Sequence, residues 1–125
     1  MDTTHLKALG AGLFFLFIFL SGFWLSRSGK PYSPVIFNIH KLIGLATGIF
    51  LIITVYQVHQ VTPLGLAQIA AIAINVLLFA VDVAAGGLLS IDKPMPSAVA
   101  RVHKVFPYLI ALSTAATLYL LLFQA

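Results

Sequence analysis

Four long apolar stretches separated by short polar breaks lay out this chain, at residues about 8–26, 35–59, 66–90 and 97–123. Each has the roughly 20 residues that a helix needs to cross hydrocarbon. None alternates with period two, and all are far too long for strands. Because lipid tolerates only helices or closed barrels, the pattern predicts an all-α protein. It should be a four-helix transmembrane bundle, one domain over residues 1–125, with antiparallel helices joined by short connections. The first stretch, rich in Phe14, Phe15, Phe17 and Phe19, is like a signal peptide in having one basic residue, Lys7, before an apolar core. Ser26-Arg27-Ser28-Gly29 is a poor cleavage site, however, and the core is long enough to span, so it reads as the first helix, ending near the interfacial Trp24.

The breaks carry a repeat. Lys30-Pro31, eight residues, then His40-Lys41 recurs as Lys93-Pro94, eight residues, then His103-Lys104. Each copy runs directly into an apolar stretch. Proline at the head of a copy suits a turn at a membrane surface. The expected architecture is therefore two repeated helical hairpins, first helix with second and third with fourth, related by a pseudo-two-fold axis along the membrane normal.

Composition agrees with an integral membrane protein. Of 125 residues, 61% are hydrophobic and 8% charged, against about 25% charged in soluble domains. The absence of cysteine excludes disulfides, iron–sulfur clusters and thiolate zinc sites. The net charge of +4 does not signal nucleic-acid binding, because the basic residues flank apolar segments, where they set orientation. Arg27, Lys30, Lys41, Lys93, Arg101 and Lys104 belong to the first and third breaks and the helix entries beside them, while the opposite side holds only Lys7. Those breaks are expected in the cytoplasm and both termini outside, in a bacterial or archaeal inner membrane.

Candidate chemistry gathers beside the same breaks. By helical rise His40 and His103 lie roughly 9 Å inside their helix starts, and Asp82 lies about 12 Å before Ser90 from the opposite direction. The three are expected in one layer near the cytoplasmic edge of the hydrocarbon. Ionisable groups there cost about 2.5–3.5 kcal/mol on insertion scales and usually face the protein interior. Below His40 on one helix face are Gly44 and Gly48, and below His103 are Pro107, Ala111 and Ala115. These lanes of little volume could accommodate a flat macrocycle, or could equally be ordinary close helix packing. Lys41, Arg101 and Lys104 either snorkel to headgroups or pair with carboxylates of a bound ligand. A ligating imidazole must donate from its second nitrogen, and Asp82 is the available carboxylate, unless it pairs with Lys41 or Lys104. Asn75, Tyr56, Tyr108, Ser113 and Thr114 are candidate interhelical hydrogen-bonding groups, and His5, with Asp2 as its nearest acidic residue, and His59 read as surface histidines.

The paired histidines on parallel-running helices, with His40-Lys41-Leu42-Ile43-Gly44 opening the second, resemble small four-helix membrane b-type cytochromes. The resemblance implies one haem b between the second and fourth helices, with His40 and His103 as its metal ligands and Lys41, Arg101, Lys104, Gly44, Gly48 and Asp82 around it. It departs from that family at the other surface. His59 has no counterpart there, because the matching end of the fourth helix reads Leu120-Leu121-Leu122-Phe123-Gln124. The implied function is electron transfer with a quinone or a partner subunit, in a homo- or hetero-oligomer. Two other readings remain open: a non-enzymatic accessory subunit binding anionic membrane lipids or another chain, and a small proton or metal transporter using His40, His103 and Asp82. A hydrolase is not supported, as no nucleophile–base pair, phosphate loop or paired carboxylates occur.

Overall fold

A computed structural model describes residues 3–29, 31–91 and 93–123; Asp2, Lys30 and Gln124, which entered the sequence reading, lie outside them. Among the described residues the secondary structure is helical throughout, with no strand. The helices are α1 (Thr3–Ser28), α2 (Pro34–Val61), α3 (Leu66–Ser90) and α4 (Ser97–Leu118), the last continued by a π-helical turn, Tyr119–Phe123. All four are long and apolar enough to cross a membrane. The chain forms two compact units, Met1–Pro63 and Leu64–Ala125, each an antiparallel hairpin of two helices.

The helix ends follow local chemistry. Gly29, directly after α1, has φ +77°, the left-handed conformation that glycine adopts at helix C-termini without a Cβ penalty. Pro34 opens α2 after its N-cap, Ser33, where a missing N–H costs nothing. In the second copy Pro96 is itself the N-cap and Ser97 begins α4. His40 and His103 thus stand equally far inside their helices, about two turns from each cap. Helix α1 reaches further in both directions than its apolar core suggested. The polar residues around His5 and Lys7, and those from Ser26 to Ser28, continue the helix instead of breaking it.

Within each hairpin the contact face returns at about every seventh residue, the spacing of helices packed side by side. In the first hairpin the buried residues are Ala11, Ser21 and Leu25 on α1 and Thr47, Thr54 and Val58 on α2. Phe14 packs on Phe50 with ring centroids 5.1 Å apart. In the second, Ala85 of α3, Ile110, Thr114, Thr117 and Leu118 of α4 and Leu121 of the π-helical turn are buried. The repeat extends into these faces. At the offset that carries His40 onto His103, Thr54 falls on Thr117 and Val58 on Leu121, all four buried. Both threonines return their hydroxyls to their own helix, Thr54 to Phe50 O at 2.9 Å and Thr117 to Ser113 O at 2.8 Å. Outward faces carry large apolar side chains such as Ile52, Leu66 and Leu112, as lipid contact requires.

The hairpins differ in how they are clasped. Gln68, Asn75 and Asp82 repeat at heptad spacing along α3, and each contacts α4 or the π-helical turn that continues it. Gln68 Nε2 donates to Leu120 O at 2.9 Å, Thr114 Oγ1 donates to Asn75 Oδ1 at 3.0 Å, and His103 Nδ1 meets Asp82. Leu120 belongs to the final turn, where helix carbonyls lack an intrahelical donor. The first hairpin has instead the Phe14–Phe50 contact and a contact between Ser21 and His40.

Candidate histidine sites

His40 projects from α2 toward α1, where its Nδ1 lies 2.8 Å from Ser21 Oγ. Ser21 Oγ is also 3.1 Å from Ile18 O. A hydroxyl has one proton, and only one assignment satisfies both contacts: Ser21 donates to the Ile18 carbonyl and accepts from His40 Nδ1–H. The ring rests on Gly22, where an added Cβ would stand 3.0 Å from His40 Cε1. An alanine there would require the imidazole to give way by a few tenths of an ångström.

His103 is arranged in the same way from α4 toward α3. Its Nδ1 lies 3.1 Å from Asp82 O and 3.0 Å from Asp82 Oδ1. The angles favour a hydrogen bond to the backbone oxygen. Oδ1 is buried and accepts no hydrogen bond among the described residues, so its 3.0 Å approach is a charge contact. Both neighbours of Nδ1 are acceptors only, so this nitrogen carries the proton. The ring packs on Gly86, where an added Cβ would stand 2.7 Å from Cε1.

Each imidazole is thus assigned the Nδ1–H form by the neighbouring helix of its own hairpin. That form puts the ring's lone pair on Nε2, the arrangement in which a histidine binds a metal while its other nitrogen donates to a fixed acceptor. Among the described residues no three His, Cys, Asp or Glu side chains gather around a common point.

The other sequence candidates fall as follows. Asp82 reaches His103, as its depth in α3 implied. Asn75 and Thr114 form the interhelical bond for which their polarity made them candidates. Lys41, Arg101 and Lys104 are exposed, and Lys41 Nζ lies 5.8 Å from the centre of the Phe37 ring, a cation–π contact at the helix entry. Gly44 and Gly48 are half-buried, and a Cβ added at Gly44 would meet nothing within 4 Å. Pro107 and Ala111 are half-buried and Ala115 is exposed. Pro107 has no N–H to offer the His103 carbonyl one turn earlier. Tyr56 turns outward. The sequence reading did not single out Ser21, Gly22, Gly86 or Gln68. Ser21-Gly22 and Gly86-Gly87 are the small-residue pairs near the ends of α1 and α3, and that was the available signal. Compared with protein-family models, curated proteins and solved structures, the chain matches none.

Proposed function

We propose that the chain is a membrane b-type cytochrome in which His40 and His103 are the axial ligands of one haem b. The observation that carries the reading is the shared preparation of the two histidines. Each lies about two turns inside its helix, rests on a glycine, and is held in the Nδ1–H form by a partner within its own hairpin.

The residues present fit the group. His40 and His103 supply imidazole nitrogens in a chain without cysteine, and a Cβ at Gly44 would meet nothing within 4 Å, so no side chain crowds that stretch of α2. Lys41, Arg101 and Lys104, each within two residues of a histidine, would supply cations for propionates. Haem supplies a one-electron iron couple when bound. The protein's share is to hold both imidazoles in one tautomer. With His40 and His103 both holding the iron, no ligand position would stay open, so the site would suit electron transfer with a quinone or partner subunit and not oxygen binding. The basic residues beside the first and third connections favour a cytoplasmic location for that end, with the termini outside.

The test is an absorption spectrum of the protein purified in detergent after expression with ample haem, before and after dithionite. Sharp reduced bands of a six-coordinate haem b, at one haem per chain, are expected. Haem-free protein under those conditions would overturn the reading and favour an accessory subunit whose histidines are structural clasps.

A further inference from the structure

The two histidines are held alike in geometry but not in charge. His40 donates to a neutral hydroxyl, Ser21 Oγ, at 2.8 Å. His103 donates beside a carboxylate, with Asp82 Oδ1 at 3.0 Å and Asp82 O at 3.1 Å. That carboxylate oxygen is buried, and no hydrogen bond from another described residue neutralises it. In surroundings of low dielectric the attraction between a full negative charge and an Nδ1–H is far stronger than in water. It draws the Nδ1 proton toward Asp82, leaves more electron density on the ring, and makes Nε2 the better donor. Ser21 cannot do this. Its oxygen bears only a partial charge, and its own proton is committed to Ile18 O.

We infer that Ser21 and Asp82 are positioning residues that make the two haem ligands unequal, with His103 the stronger donor and principal anchor and His40 the weaker second ligand. The inference rests on the haem reading above for its ligand and on the apoprotein for its geometry. Asp82 touches neither iron nor macrocycle and acts through the His103 ring. A stronger axial donor stabilises ferric over ferrous iron, so Asp82 holds the reduction potential down.

The geometric half is tested on the haem-free full chain, labelled with 15N at the histidine rings and placed in detergent micelles. Ring-nitrogen signals of the Nδ1–H form are expected for both His40 and His103. Asp82→Asn should shift the His103 signals and leave those of His40 in place, because it removes the charge while keeping the backbone acceptor. Ser21→Ala should do the reverse, letting His40 populate both tautomers. The electronic half is tested by haem titration and redox potentiometry. Asp82→Asn should weaken ferric haem binding by about 10–100-fold, the usual scale for a lost partner behind a metal-bound histidine, and Ser21→Ala should weaken it less. A tenfold greater loss for ferric than for ferrous haem raises the potential by about 59 mV. His40→Ala should keep haem better than His103→Ala. An Nε2–H signature for His103 in the apoprotein overturns the inference, as does an unmoved potential in Asp82→Asn. Wild-type protein that takes up no haem overturns the function and the ligand hierarchy together, while the ring-nitrogen signals still decide the positioning roles.

Discussion

Gly86 gives the sharpest separation between the histidine site and the fold that carries it. In Gly86→Ala the new methyl would stand 2.7 Å from His103 Cε1, where carbon–carbon contacts settle at about 3.5–4.0 Å. Both backbones belong to a packed helix pair, so the imidazole is the part that yields, by about 1 Å. A movement of that size carries Nδ1 out of hydrogen-bonding range of Asp82, since N–H···O bonds end near about 3.2 Å. Losing one polar contact between membrane helices costs about 0.6 kcal/mol on average and about 1.7 at most. Replacing glycine by alanine inside a helix returns about 0.8–1.0 kcal/mol. The two nearly cancel, so hairpin stability should change by less than about 1 kcal/mol while the ring is displaced. Gly87→Ala is the control, because a Cβ there meets nothing within 4 Å, and Gly22→Ala is the intermediate case, at 3.0 Å from His40 Cε1. The assays are unfolding by SDS titration, His103 ring-nitrogen signals and haem affinity. Wild-type signals and affinity in Gly86→Ala would refute the reasoning, because they would mean that the ring does not depend on the space glycine leaves. A loss of folding in Gly86→Ala but not in Gly87→Ala would refute the energy balance instead.

Further expectations address the ligands, the clasp and the topology. The His40→Ala, His103→Ala double variant should fold and show no haem spectrum, whereas His5→Ala and His59→Ala should leave the spectrum unchanged; a normal spectrum in the double variant would reject the site. Thr114→Val removes the donor to Asn75 Oδ1 and should destabilise the second hairpin by about 0.6–1.7 kcal/mol in SDS unfolding. Thr54→Val should cost less, because that hydroxyl bonds only within its own helix; equal losses would show that the α3–α4 bond carries no special weight. Reporter fusions after Ala125 should behave as external, and cytoplasmic behaviour would reverse the orientation drawn from the lysine and arginine bias.

The sequence by itself determined the helices and their repetition. Apolar length alone forces a helix in lipid, because every backbone group must be satisfied within its own segment; this is why the extents of α2 and α3 were legible to within a few residues. The Lys-Pro and His-Lys spacing showed that the histidines come in matched pairs, since position along a helix sets depth. Depth also brought Asp82 to the level of His103. What sits across from each ring was decided only by tertiary structure. Facing residues on antiparallel helices are far apart in the chain, and their register depends on how the two faces interlock. Ser21 and Gly22 meet His40, while Asp82 and Gly86 meet His103, although Ser21 and Asp82 are not equivalent positions in the repeat. The duplication therefore explains why two histidines stand equally far inside their own helices. The packing of each hairpin explains why one of them answers to a hydroxyl and the other to a carboxylate.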